Sequence, residues 1–419
     1  MFRKFDAYKL YLALQFFTGL FFSMIFVVTS FYEATVAGLS GMQLVLVGTA
    51  LELTVFLFEV PTGIVADAYS RRISIIIGYF LMGIGFLVEG TFPVFGMILL
   101  TQILWGVGYT FTSGAIQAWL SDEIGEEGAN RAFLRGNQYD LAGALLGMLI
   151  AIPIGNRMVN LPILVGGAAV CSLGVVLLLF MPETGFHPTR REDRNSFQHM
   201  GDIFQKGIAA VRSRPVLLSV LGIGLIYGLY SEGWDRLWVK YLVDHFTLPS
   251  IFGMNEVAFF GFLRAAGMLS SIVVTRQVEK RLDASHAPSI ARAMLLITVL
   301  LSAAILTFAF SPALAISVLA VTVVSITRNV MDPLYKAWVN QRLDSETRAT
   351  VISMSGQVDA IGQVASGPVA ALISLASVRA AITMASLLLM PALPLIARAN
   401  RLHAEQDDSL AIPDIQPAE

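Results

Sequence analysis

The chain has 419 residues, 56% hydrophobic and only 14% charged, with a mean hydropathy of +0.70. A soluble domain carries about a quarter charged residues, so this composition excludes an ordinary soluble fold. The net charge is −2 and the basic residues sit at loop ends, which leaves no footprint for nucleic acid. The single cysteine, Cys171, rules out an intrachain disulfide and reads as a small core residue inside an apolar run. His187, His199, His286 and His403 fall in loops and His245 at a helix end, without metal-ligand spacing. No G-x-S-x-G, H-E-x-x-H or phosphate-cradling loop occurs, so no enzyme, metal or cofactor is expected.

Apolar runs of about 20 residues suit a hydrocarbon core of roughly 30 Å. They fall at 10–32, 42–66, 73–91, 94–120, 132–155, 160–181, 215–243, 254–275, 290–310, 312–340, 349–373 and 379–397. The first run is too long for a signal-peptide core and no small-x-small cleavage site follows, so it stays as a helix. The prediction is an all-α membrane protein of twelve transmembrane helices, with both termini on one side. Outside the spans, only Arg157 and Arg379 fall on the other side. The positive-inside rule then puts both termini in the cytoplasm, with the inner (plasma) membrane as the expected location.

Span 2 carries Glu52 near its middle and Glu59 seven residues on, which places both on one face. An ionisable side chain within a span costs about 2.5–3.5 kcal/mol on insertion scales, so each raises a functional reading. For Glu52 that reading is proton coupling or substrate binding, against a structural hydrogen bond or ion pair. Between spans 2 and 3, Gly63-Ile-Val-Ala-Asp67-Ala-Tyr-Ser-Arg71-Arg72 reads as a short polar hinge joining two antiparallel helices. Glu59 is assigned to a cytoplasmic gate with Gly63, Asp67, Arg71 and Arg72.

Ala118-Trp119, Gln138, Asp140 and Gly143 recur in the same order and spacing as Ala337-Trp338, Gln357, Asp359 and Gly362. This internal repeat predicts two pseudo-symmetric six-helix bundles, residues 1–181 and 215–398. Asp140 and Asp359 are expected to latch to loop arginines within their own halves. A connector, 182–214, divides the bundles, and its segment His199–Arg212 reads as a short amphipathic helix on the membrane surface. Residues 399–419 read as a disordered cytoplasmic tail.

Span 7 is the most polar. Glu232, Arg236 and Lys240 share one stripe with Asp235 beside it, and Tyr227, Tyr230, Trp234, Trp238 and Tyr241 share another. Glu232 and Asp235 join Glu52 as proton-coupling candidates. Gln102, Tyr230, Trp234 and Arg236 are candidates for a substrate cavity. The bland alternative is a Glu232–Arg236 pair with an aromatic belt at the outer surface, which suits Trp238, Lys240 and Tyr241. In span 10, Arg328 and Asp332 have the spacing of an intrahelical pair.

The hinge resembles the loop signature of the major facilitator superfamily, roughly G-x-L-A-D-R-x-G-R-R/K. Gly63, Ala66, Asp67, Arg71 and Arg72 match in register, while Val65, Ala68 and Ser70 depart from it. Glu59-Val-Pro-Thr-Gly63 and Glu232-Gly-Trp-Asp-Arg-Leu-Trp238 look like the macrolide- and tetracycline-type drug efflux branch. Gln102 stands where drug/proton antiporters carry an arginine, and Pro153 is displaced from their span 5 motif. The resemblance implies the major facilitator fold, with substrate bound between halves. It further implies a monomeric secondary transporter exchanging small amphipathic compounds for protons. It would place Asp67 near the start of span 11, around Arg348–Val351. The rival readings are a carrier for a single metabolite and a non-transporting sensor on the same scaffold.

Overall fold

The structure is a computed structural model that describes residues 5–187, 215–282, 287–340 and 345–410. Twelve helical stretches are long and apolar enough to cross a membrane, and no strand occurs among the described residues. The all-α, twelve-span architecture read from the sequence is therefore observed. The helices are α1 (Ala7–Thr35), α2 (Gly41–Ala68), α3 (Arg71–Thr91), α4 (Phe95–Thr112), α5 (Ala115–Ile124), α6 (Glu126–Arg157) and α7 (Leu161–Phe180). They continue as α8 (Pro215–His245), α9 (Glu256–Arg281), α10 (Ala287–Ala309), α11 (Leu314–Asn340), α12 (Ser345–Ala376), α13 (Val378–Leu388) and α14 (Ala392–Leu410).

Local chemistry sets several ends. Asp6 caps α1 by accepting from Lys9 N at 2.9 Å. Ser40 and Gln43 form a reciprocal capping box at the start of α2, with bonds of 3.3 and 3.0 Å. The fourth span breaks between α4 and α5 because Gly114 sits at φ +72°, a backbone that glycine adopts without strain. The twelfth span breaks between α13 and α14, where Pro391 withholds a backbone donor. Four prolines, Pro61, Pro153, Pro333 and Pro368, lie inside helices, as membrane helices tolerate.

Three boundaries differ from the sequence reading. Helix α2 runs on through Gly63 and Asp67 to Ala68, so the hinge shrinks to Tyr69 and Ser70. Helix α6 starts at Glu126 rather than 132, carrying Glu126 and Glu127 in its first turn, where acids favour the helix dipole. Helix α14 reaches Leu410 instead of giving way to a tail at 399. The stretch from Ala397 to Leu410 holds no glycine or proline to end it. The proposed surface helix His199–Arg212 lies outside the described residues.

The chain forms two compact units. The first gathers α1–α7 with Asp235–Ala265 and Gly367–Val378, and the second gathers α8 up to Trp234, Ala266–Ser366 and the chain from Arg379. In the first, α1 crosses α6 tightly: a Cβ on Gly143 or Gly147 would strike the carbonyls of Phe16 and Leu20, and one on Gly19 that of Asp140. In the second, α8 meets α12 through the same device, Gly228 against the Asp359 carbonyl and Gly362 against that of Leu225. The sequence repeat is thus a repeated helix crossing, with Asp140 and Asp359 at equivalent places in it.

At the end away from the termini, the first unit interlocks through small and polar groups. Asn255 N donates to Asn156 at 2.7 Å, and Gly261 faces Ile152. Phe31 packs on Phe260 with centroids 5.3 Å apart. Gly41 lies against Ser374, and Gly367 against Thr49.

Candidate functional site

At the termini end of the first unit, Ser70 caps α3 by accepting from Ile73 N at 3.0 Å, and its hydroxyl donates to Glu183 at 2.7 Å. Glu183 also accepts from Arg72 N at 2.9 Å, so a carboxylate sits on the positive end of α3. Arg71 pairs with Asp122 at 2.5 Å and with Asp67 at 3.6 Å, and stands over the Phe186 ring. Arg72 Nη2 donates to the Leu178 carbonyl at 2.5 Å. Trp119, 1% exposed, donates to the Pro182 carbonyl at 2.7 Å, and Glu123 accepts from Gly185 N and the Thr184 hydroxyl.

Five of the expected gate residues therefore divide. Arg71 and Arg72 sit in a built clamp, and Asp67 touches it from an exposed position. Glu59 is exposed one turn before Gly63, at which an added Cβ would meet nothing within 4 Å. Arg71 takes Asp122 and Asp67, not Glu59. The side chains of Arg348–Val351, expected beside Asp67, lie outside the described residues.

On the same helix, α2, half-buried Glu52 and exposed Glu59 both lie within electrostatic reach of Tyr109 on α4. Tyr109 packs on Trp105 with centroids 6.0 Å apart, and Trp105 meets Phe26 edge-on at 5.7 Å. Phe26 stacks on Phe22 at 5.8 Å. Both glutamates thus act on one tyrosine, and the structure adds an aromatic wall the sequence did not single out.

Towards the end away from the termini lies a second charged group. Glu33 of α1 and Glu89 of α3 are 2% and 1% exposed. Glu89 Oε2 accepts from the Thr101 hydroxyl and from Gln102 Nε2, each at 3.4 Å, and the Tyr32 hydroxyl donates to the Glu89 carbonyl at 2.7 Å. The Arg236 guanidinium of α8 lies within coulombic reach of both glutamates. Beside it, Asp235 faces Arg264 of α9, whose guanidinium stands 5.6 Å over the Trp238 ring. Gln102 is thus 6% exposed and directed at Glu89, between α4 and α3.

In the second unit Glu232 is buried, and so are Tyr230 and Trp234. Trp234 meets Phe308 edge-on at 5.0 Å. Tyr230 packs against Tyr227 and carries Arg328 over its ring at 5.8 Å. Asp332 pairs instead with Lys336 at 2.8 Å, one turn the other way from Arg328. Tyr227 bonds Thr298 at 2.7 Å, and Tyr335 donates to the Val220 carbonyl at 3.0 Å. Asp359 accepts from Gln363 at 2.8 Å. Gln138 is exposed, whereas Gln357 is half-buried.

The alternative of an outer aromatic belt in span 7 does not fit Trp238 and Tyr241. Trp238 is 8% exposed and Tyr241 fully buried, packed within protein, while Lys240 pairs with Asp244 at 2.8 Å. Sequence reasoning missed Glu33, Glu89, Asp122 and Glu183, and gave Arg264 no role. Glu33 and Glu89 fall at span ends, where an acid reads as a boundary. The signal that could have found them is the arginines inside spans 7 and 8, which need buried partners.

Comparison with known proteins now fits this geometry. The family described as Major Facilitator Superfamily matches residues 11–367. A Bacillus subtilis (strain 168) protein, the uncharacterized MFS-type transporter YxaM, is 22% identical over 341 residues, covering 80% of this chain and 81% of its own. Among solved structures, a POT family transporter in complex with a thioalcohol-conjugated peptide aligns with a TM-score of 0.73 at 14% identity, over 95% of this chain and 96% of its own. A bacterial homolog of the human lysosomal transporter Spinster aligns with a TM-score of 0.71 at 14% identity, over 95% and 97%. The nucleoside transporter NupG aligns at 0.69 and 14%, over 98% and 100%. These likenesses show a shared fold. The chain belongs to the Major Facilitator Superfamily, and is a multi-pass membrane transporter of small molecules rather than an enzyme.

Proposed function

We propose that the protein is a proton-coupled exporter of small amphipathic compounds, working by alternating access. In this reading residues 1–181 and 215–398 are its two six-helix bundles. The protein acts as a monomer in the inner (plasma) membrane with both termini in the cytoplasm. The observation that carries the reading is the pair Glu52 and Glu59 about Tyr109, continued by Trp105 and Phe26. Aromatic faces favour flat apolar or cationic groups, and a carboxylate among them favours positive charge. Protonation of Glu52 would remove that attraction, so a proton and a cationic substrate would compete for one place.

The small-residue contacts of α2, α6 and α9 support a seal that can part, since little side-chain packing is lost when such helices separate. The Arg71–Asp122–Asp67 clamp is its counterpart at the termini end, with Gly63, Glu59 and Arg72 alongside. Asp140 and Asp359 lie at the repeated helix crossings, with Gln138 and Gln357 two residues before them on the same helices. Within the second unit, Tyr230, Glu232 and Trp234 are buried together with Arg328 over the Tyr230 ring, a polar and aromatic group of its own. A susceptibility panel on a pump-deficient bacterial host tests the reading. Protection should extend to several lipophilic cations and fall to the empty-vector level with Glu52→Gln. Protection against none, with the protein present in the membrane, would favour the single-metabolite carrier.

A further inference from the structure

We propose that the hollow between the first turn of α1 and the start of α6 binds the phosphate of an anionic phospholipid from the leaflet at the termini end. Neither the substrate nor the coupling ion of the exporter reading enters it. The hollow holds about 580 Å³ and is lined by Tyr8, Ile124, Gly128, Arg131, Leu134 and Arg135. All six residues belong to the first unit. Gly128, Arg131 and Arg135 share one face of α6 by their i, i+3, i+7 spacing, while α1 contributes Tyr8 and the end of α5 contributes Ile124. Gly128 makes the space: the nearest atoms to a Cβ there would be Ile124 side-chain carbons, at 3.4 to 3.6 Å.

The polar wall has donors to spare. Arg135 Nη1 donates to the Tyr8 hydroxyl at 3.0 Å, and no carboxylate pairs with Arg135 among the described residues. The Tyr8 hydroxyl accepts that bond, and its own proton meets no acceptor among the described residues. Arg131 pairs with Glu127 one turn before it, and these side chains are 75% and 85% exposed. Such an exposed one-turn pair is weak, so a phosphate can take Arg131 from Glu127 with little lost. Glu126 is exposed and does not line the hollow, and Asp6 is turned to Lys9 N. A guanidinium fork matches two phosphate oxygens, and two forks one turn apart beside a phenol suit the tetrahedral phosphate group.

Depth and apolar surface select a lipid over a soluble phosphate ester. Helix α6 has 32 residues. At 1.5 Å per residue it is about 48 Å long against a hydrocarbon core of roughly 30 Å, so about six residues stand out at each end. That sets Arg131 at the phosphate layer and Leu134 at the edge of the hydrocarbon. Leu134 is 74% exposed, and past Gln138 its stripe continues through the exposed Ala142, Leu146 and Leu149. An acyl chain lying along that stripe brings its phosphate against the two arginines. A soluble ester would gain nothing from Leu134.

The test counts lipids on the purified full chain. Native mass spectrometry follows the protein in detergent with equimolar dioleoyl-phosphatidylglycerol and dioleoyl-phosphatidylcholine. The first lipid retained should be the phosphatidylglycerol, favoured about tenfold, a preference that two surface basic residues can supply. Arg131→Gln/Arg135→Gln should erase that preference. So should Gly128→Leu, which fills the hollow but keeps both charges, with no fall in melting temperature when lipid is absent. Arg276→Gln/Lys280→Gln, which removes two exposed cations from α9, should keep it. No preference in the wild type, or one that survives Arg131→Gln/Arg135→Gln or Gly128→Leu, would overturn the proposal. Loss of the preference in the α9 variant would reduce it to general charge attraction and overturn it as well. Displacement of the retained lipid by equimolar inorganic phosphate would give the hollow to a soluble anion instead.

Discussion

Arg71, the first residue of α3, meets the Asp122 carboxylate of α5 at 2.5 Å, while Asp67 of α2 stands 3.6 Å away and is 59% exposed. A carboxylate held this closely by a half-buried guanidinium is worth about 1.5–3 kcal/mol, and an exposed pair about 0–1 kcal/mol. Asp122→Asn should therefore lower the melting temperature of the purified protein clearly, and Asp67→Asn hardly at all. Any loss of transport in Asp67→Asn should fall on turnover and leave substrate binding intact, as measured by equilibrium binding beside initial rates. Equal destabilisation by the two variants would refute this ranking of the clamp.

Glu183 is bonded to the Ser70 hydroxyl and to Arg72 N together. Removing its charge leaves only a neutral acceptor at the positive end of α3, a loss of about 0.3–2 kcal/mol. In a double-mutant cycle of Glu183→Gln and Ser70→Ala, the paired variant should lose less than the two singles combined. Strict additivity in thermal denaturation would mean that the two side chains act separately.

The glycines divide sharply by what surrounds them. A Cβ on Gly143 strikes the Phe16 carbonyl, which is rigid helix backbone, whereas one on Gly63 meets nothing within 4 Å. Gly143→Ala should force α1 and α6 apart, with a large drop in folded yield, and Gly362→Ala should do the same to α8 and α12. Gly63→Ala should be neutral or stabilising by about 0.4–1 kcal/mol, since alanine costs the folded helix nothing there. Size-exclusion profiles and melting curves of the three variants check this order.

Trp119 is buried with its Nε1 donating to the Pro182 carbonyl. Trp119→Phe loses the bond, about 0.5–1.5 kcal/mol, and part of the ring's packing, together well short of the loss in Trp119→Ala. Fluorescence-monitored unfolding should show a modest loss. A loss as large as that of Trp119→Ala would mean that packing alone explains the residue.

The twelve spans were legible because hydropathy at helix length is a local property of the chain. The repeat was legible for a related reason: glycine at a helix crossing leaves the same mark in both halves, so Gly143 and Gly362 point to the same contact. What the sequence hid depends on partners distant along the chain. Asp122 and Glu183 read as ordinary loop acids until folding brings them to Arg71 and Arg72. Glu33 and Glu89 read as span boundaries until folding brings them within coulombic reach of Arg236. Arg328 and Asp332 had the right spacing to pair, yet Tyr230 and Lys336 offered each a nearer partner. Spacing permits an interaction, and the tertiary neighbours select it.

Coupled flux in a closed system tests the exporter account most directly. The purified protein, in proteoliposomes preloaded with a pH-sensitive dye, is given ethidium as a lipophilic cation under an imposed proton gradient. The account predicts ethidium movement opposite to the proton flow, a matching change of lumenal pH, collapse of both with a protonophore, and loss of both in Glu52→Gln. Ethidium flux indifferent to the gradient, or proton movement that ethidium never alters, would contradict it.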